Sequence, residues 1–316
     1  MTRYGERKLA LVPFVIALTL AATACSGSGN RSTATPPPLE ITAVQATIIS
    51  SDVAVGSNRF LVGLMNQDNQ IITDADVRLR FYRLRGEQSE PRFETPTEVM
   101  LMTRGIVLEK PDGKRALVTG GETAAYVAEA RFDEAGEWGV AVFPTVGART
   151  FDPIGLRFEV REKSRSPAIG DPAPRSRQLT LADVRDLSAI CTSATPDPEW
   201  HQTTIAQALA IGSPVAIAFT TPGFCKSQMC APMTEELAAL KSKYGKQVIF
   251  IHVEPYQLDK ERAGEGQFPV PTMEEWGLET EPWIFIVDAN GTVVAKFEAF
   301  VMAHEIEMAL QSALAR

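Results

Sequence analysis

The chain has 316 residues, a formal net charge of −8, 45% hydrophobic residues and four cysteines. That length suggests two domains, and the acidic balance excludes a general nucleic-acid binder, which needs a basic footprint. Four cysteines are too few for a disulfide-stapled scaffold, and a mean hydropathy close to zero excludes both a polytopic membrane protein and a disordered chain.

Arg3, Arg7 and Lys8 precede an apolar run from Leu9 to Leu20, and small residues follow up to Cys25. A basic start, a short apolar core and small residues before a cut describe a secretory signal. The apolar stretch is shorter than the roughly 20 residues of a membrane-spanning helix. Ala22-Thr23-Ala24-Cys25 resembles the lipobox of bacterial lipoproteins, with Ala22 where Leu is usual. The resemblance implies a lipoprotein signal peptide at 1–24, acylation of Cys25, and a lipid anchor on the outer face of the cytoplasmic membrane or the periplasmic side of the envelope. The alternative is an ordinary signal peptide with Cys25 incidental. Residues 25–38 (CSGSGNRSTATPPP) have no apolar periodicity and read as a tether.

Residues 39–162 read as an all-β domain. Val77, Leu79 and Phe81 alternate with Arg78, Arg80 and Tyr82; Tyr126, Ala128, Ala130 and Phe132 alternate with Val127, Glu129 and Arg131. Trp138, Val140 and Val142 continue after the turn 133–136, and Leu156, Phe158 and Val160 close the run. Period-two alternation with repeated turn signals predicts an antiparallel sandwich. The segment Tyr126 to Trp138 resembles immunoglobulin-like domains of bacterial envelope proteins. No cysteine or histidine occurs between residues 26 and 190, so thiol, imidazole and soft-metal chemistry have no side chains there. The domain reads as a docking module or a spacer. Residues 163–180, rich in Pro, Ser and charge, read as an interdomain linker.

From 181 to 316 the period changes. Val215–Phe219 and Val248–Val253 are continuous apolar runs, as in strands buried on both faces. Between them a helix carries the stripe Met233, Leu237, Leu240 and Tyr244, and a last helix carries Ile306, Leu310 and Leu314. Asn290-Gly291 is a hairpin signal between two further strands. The expected fold is a mixed sheet with helices on both faces.

AIAFTTPGFCKSQMC (216–230) and EPWIFIVDANGTVVAKFEAF (281–300) resemble the cysteine-motif and proline–strand–hairpin segments of the thioredoxin family. The resemblance implies an α/β thioredoxin-like fold C-terminal to an immunoglobulin-like sandwich. It implies Cys225 and Cys230 as a redox pair, Pro282 as a cis-proline facing them, and partner proteins with thiols or disulfides as substrates. No cofactor is expected.

Thioredoxins place two residues between their cysteines, whereas four stand here. On a regular helix that spacing puts the side chains about 140° and about 7.5 Å apart, against the roughly 4.4–6.8 Å Cα separation of a disulfide. Cys225 is therefore expected in a loop ahead of the helix, or else the first turn unwinds on oxidation. A cysteine at a helix N-terminus is favoured as thiolate by the dipole and free amides. Cys225 is thus the expected attacking thiol and Cys230 the resolving one. The alternative is a structural disulfide in a non-enzymatic envelope adaptor.

Two other chemistries stay open. Thr221-Pro222-Gly223-Phe224-Cys225 with Cys230 is similar to atypical two-cysteine peroxiredoxins, though Thr221 stands one residue too far upstream. Cys225 and Cys230 with His252 resemble the ligands of Sco-type copper chaperones, whose cysteines are three residues apart and whose histidine lies later. His201 and His304 read as surface residues at helix starts, and Cys191 as a buried free thiol, a third redox partner or an intermolecular link.

Overall fold

The structure, a computed structural model, describes residues 40–110 and 112–316. The expected signal peptide, the lipidation site Cys25 and the tether 25–38 lie outside the described residues.

Side-chain alternation builds the N-terminal half. Its strands are β1 (Val44–Ile48), β2 (Gly56–Asn66), β3 (Ala75–Arg85), β4 (Gln88–Pro96), β5 (Glu98–Glu109), β6 (Arg115–Phe132), β7 (Gly136–Val146), β8 (Arg149–Thr150) and β9 (Ile154–Val160). Every pairing among them is antiparallel. One sheet has the order β1-β2-β6-β5, the other β4-β3-β7-β8 with β9 also beside β7. Val77, Leu79 and Phe81 are buried while Arg78 is exposed and Arg80 half-buried, because successive side chains of a strand leave opposite faces.

The inward faces of the two sheets share a core in which Phe132 meets Trp138 edge-on at 4.9 Å and Phe81 stacks on Phe93 at 4.7 Å. Each large apolar side chain removed from water contributes roughly 1.5–3 kcal/mol. The buried Tyr126 hydroxyl donates to the Ile72 carbonyl at 2.8 Å and accepts from the Ala75 amide at 3.1 Å, so its polar end stays satisfied.

The C-terminal half contains α1 (Ile205–Ile211), β10 (Val215–Phe219), α2 (Cys230–Tyr244), β11 (Ile249–Val253), α3 (Leu258–Arg262), α4 (Pro271–Glu275), β12 (Trp283–Val287), β13 (Val293–Glu298) and α5 (Ala303–Leu314). Its sheet has the order β11-β10-β12-β13; β10–β11 is parallel and the other two pairings are antiparallel. Met233, Leu237 and Leu240 of α2 pack with Ile306 and Leu310 of α5 against Ala216, Ala218, Ile284 and Ile286. Opposite them, Ile217, Phe219 and Phe285 pack against Ile205, Met273 and Trp276.

This overturns the expected fold class. Among the described residues the protein is mostly β, 41% strand against 18% helix, with three mostly antiparallel sheets and few helices. It is not the α/β thioredoxin-like fold expected for it. The misleading signal is physical: a continuous apolar run records only that both faces of a strand are covered, not the direction of its neighbours or what covers it. Every residue of β10 and of β12 is buried, yet they pair antiparallel, and part of their cover is five- and seven-residue helices.

Residues 41–316 form one compact unit. Leu61, Met102 and Ala125 from the N-terminal half lie in the same core as Met233 and Leu237. Residues 163–180 contribute to the join. Asp52 accepts from the Ser166 hydroxyl at 2.7 Å, the Arg165 amide at 3.0 Å and the Ser164 hydroxyl, while Lys296 donates to Ser164 at 2.6 Å. Burial alone would raise the Asp52 pKa, but these hydrogen bonds and the Lys296 charge hold it at about 2. Further along, Gly170 and Ala173 donate to the carbonyls of Val293 and Gly291.

Candidate functional site

Cys225 and Cys230 bracket a loop at the end of β10. The loop cannot continue as a strand, since Pro222 and Gly223 follow Phe219 within four residues. Cys225 lies in this loop and Cys230 is the first residue of α2, as the five-residue separation requires for the thiols to approach. Both are buried free thiols; Cys225 is 1% exposed. Their sulfurs lie within 4.8 Å of each other, not at disulfide distance.

The hydrogen bond between the two thiols, together with burial, makes them unequal. The Cys230 amide donates to Cys225 Sγ at 3.2 Å, and the Ser227 hydroxyl lies 3.2 Å from the same sulfur. The hydrogen bond with the Cys230 thiol, helped by Ser227 and the Cys230 amide, brings the Cys225 pKa down from 9.0 to about 7 despite burial. Cys230 goes the other way: burial, then the adjacent Cys225 thiol, push it well above its ordinary value.

Glu281 completes the site. Its carboxylate lies within 4.8 Å of both thiols, and the Glu281–Pro282 peptide is cis. Burial raises the Glu281 pKa, and Tyr256 donates to its Oε2 at 2.6 Å. Sequence reasoning named Pro282 but not its neighbour; the sequential adjacency was the available signal. Trp283, the next residue, is buried in the core.

The N-terminal half holds the cysteine loop. β5 is an edge strand, and its outward amides are covered by the loop rather than by another strand. Gly105 donates to the Gln228 carbonyl at 2.8 Å and Val107 to the Pro222 carbonyl at 2.9 Å. Gln228, between the cysteines, has a left-handed backbone (φ 61°) that non-glycine residues adopt sparingly.

His252 does not join this pair. The ligand atoms of Cys225, Cys230 and His252 are not brought within 4.8 Å of one another; among the described residues His252 groups instead with Cys191 and His201. His201, expected on the surface, is 3% exposed, whereas His304 is exposed. Burial, and then His252, lower the His201 pKa to about 3, so its ring is neutral at physiological pH. The sequence separations of 10 and 51 residues left no motif by which this second cluster could be found.

Nearby, Glu254 is buried and accepts from the Thr192 amide at 2.6 Å and hydroxyl at 2.7 Å; burial raises its pKa to about 7. No protein-family model matches this chain, and comparison with curated proteins returns no match.

Proposed function

We propose that this protein performs thiol–disulfide exchange on partner proteins outside the cytoplasmic membrane, with Cys225 as attacking and Cys230 as resolving thiol. The observation that carries this reading is the inequality of the two thiols. The Cys230 amide donates to Cys225 Sγ at 3.2 Å and Cys225 is lowered to about 7, while Cys230 is raised. A pair serving only as a structural crosslink has no use for such a difference.

In the exchange, the Cys225 thiolate attacks one sulfur of a substrate disulfide. A Cys225–substrate disulfide forms and one substrate thiolate leaves. Cys230 then loses its proton, for which the Glu281 carboxylate is the nearby acceptor, and attacks Cys225 Sγ. The second substrate thiolate leaves; the substrate disulfide is reduced and the protein dithiol becomes a disulfide. Both the near-complete burial of Cys225 and the sulfur separation require residues 222–229 to lift from β5 during the cycle.

The test is insulin reduction driven by dithiothreitol, together with trapping of partners by Cys230→Ser. Exchange predicts catalysed reduction and mixed disulfides through Cys225. A variant that captures no partner, joined to a very low Cys225–Cys230 potential, would establish the structural-disulfide alternative.

A further inference from the structure

Away from the thiol pair, three buried side chains from separate segments converge. Cys191 follows a short helical turn at Leu187–Ala189, His201 ends another at Pro198–His201, and His252 lies in β11. They are 1%, 3% and 3% exposed, and one ligand atom of each lies within 4.8 Å of the other two. The two imidazoles meet edge to face with centroids 5.2 Å apart.

The hydrogen bonding leaves this cluster electron-rich. His252 Nε2 lies 2.8 Å from the Thr220 carbonyl. A carbonyl can only accept, so Nε2 carries the proton and Nδ1 is left with the lone pair. A backbone acceptor on the far nitrogen is also the usual means of fixing a metal-ligating histidine. Neither the His201 ring nor the Cys191 thiol makes a hydrogen bond among the described residues. All three line one cavity of ≈ 120 Å³, and Trp200 Nε1 in the same lining is a buried donor with no acceptor. Buried polar groups normally find partners, so an unmatched indole N–H beside two imidazoles and a thiol around one cavity marks a place built for something else.

We propose that Cys191, His201 and His252 form a binding site for a d10 metal ion, Zn(II) or Cu(I). One sulfur and two imidazole nitrogens are the donors such borderline-to-soft ions select. Tetrahedral coordination sets sulfur and nitrogen about 3.5 Å apart, so small side-chain rotations close the group. On binding, the Cys191 thiol releases its proton to solvent and no electron moves. The cavity supplies room for a water molecule as a further ligand, which the Trp200 indole can hydrogen-bond. The site is separate from the Cys225–Cys230 pair and does not depend on that pair's function.

The experiment titrates the purified, reduced, metal-free full chain with Co(II) as a zinc surrogate, with Zn(II) against a chromophoric chelator, and with Cu(I) against a cuprous chelator. The expected result is one equivalent bound of at least one d10 ion, with a thiolate-to-cobalt charge-transfer band if that ion is zinc. The double variant Cys225→Ser/Cys230→Ser should retain the binding. Cys191→Ser and His201→Gln should weaken it at least about 100-fold, since loss of even an outer-shell partner costs 10–100-fold. In the wild type, bound metal should protect Cys191 from alkylation, as read by mass spectrometry, which decides the matter without a variant that must fold. The proposal is overturned if the wild type binds none of these ions, if Cys191→Ser binds as tightly as wild type, or if binding disappears with Cys225→Ser/Cys230→Ser.

Discussion

The Gly105 amide donates to the Gln228 carbonyl at 2.8 Å, so a strand of the N-terminal half holds the loop between Cys225 and Cys230. The Val107 amide does the same at the Pro222 carbonyl, 2.9 Å away. The loop covers an otherwise bare sheet edge, and the edge in return fixes the loop over a thiol that is 1% exposed. The N-terminal half, which has no cysteine among its described residues, therefore packs directly on the loop that carries Cys225.

Val107→Pro tests this restraint. Proline removes the outward amide that reaches Pro222. Val107 faces Leu117 on β6, so the change falls on an edge strand, where proline is tolerated best. Loss of one hydrogen bond costs about 1 kcal/mol, so alkylation of Cys225 by iodoacetamide should speed up about fivefold at fixed pH. An unchanged rate in a folded variant would show that the strand does not restrain the loop.

Much of this arrangement is legible in the sequence, and the remainder has definite physical causes. Alternation at Val77, Leu79 and Phe81 records which face is buried, because a strand's period is fixed by its geometry. The placement of Cys225 ahead of the helix follows from the spacing to Cys230. Strand direction and helix content were not legible, because Val215–Phe219 would be equally apolar with parallel or antiparallel neighbours. His201 was missed for a different reason: it becomes part of a site only when segments far apart in sequence meet, whereas Glu281 had its adjacency to Pro282 as a signal. A lone histidine between Trp200 and Gln202 carries no mark of its burial.

The Cys225 thiol sets a pH signature. With its pKa brought to about 7 by Cys230, Ser227 and the helix-start amide, the alkylation rate should rise through a midpoint near pH 7. Because the folded value lies below the 9.0 of an unperturbed thiol, the thiolate stabilises the folded state fully above about pH 9, and that contribution falls away as pH drops towards 7. Rate measurements on Cys230→Ala, which has no side-chain donor, should give a midpoint displaced upwards. A wild-type midpoint near 9 would refute the assignment of Cys225 as the activated thiol.

Glu281→Gln separates the two steps of exchange. The negative charge of Glu281 raises the Cys225 pKa, so its removal should move the alkylation midpoint below the wild-type value. The same change removes the proton acceptor beside Cys230, and the mixed disulfide should then resolve more slowly, by about 10-fold or more on the scale of general-base contributions. Rapid-quench analysis of the mixed disulfide reads the second effect independently of the first. Faster attack with unchanged resolution would remove Glu281 from the proton transfer while leaving its electrostatic effect intact.

Glu254 should make stability depend on pH in the direction opposite to the usual carboxylate. Burial raises its pKa from 4.5 to about 7, so the folded state binds this proton more tightly than the unfolded chain does. The resulting contribution is complete below about pH 4.5 and is lost as pH rises through 7, amounting to roughly 3 kcal/mol at one pKa unit per 1.36 kcal/mol. Glutamine keeps an acceptor for the Thr192 amide and hydroxyl but cannot ionise. Glu254→Gln should therefore melt higher than wild type at pH 8 and close to it at pH 5, as measured by thermal unfolding at the two pH values. Comparing the two chains at each pH cancels the Cys225 contribution, which is common to both and runs the other way above pH 7. Equal melting temperatures at pH 8 would mean that Glu254 ionises without cost, and that water or a cation reaches a carboxylate that is otherwise closed off by Thr192.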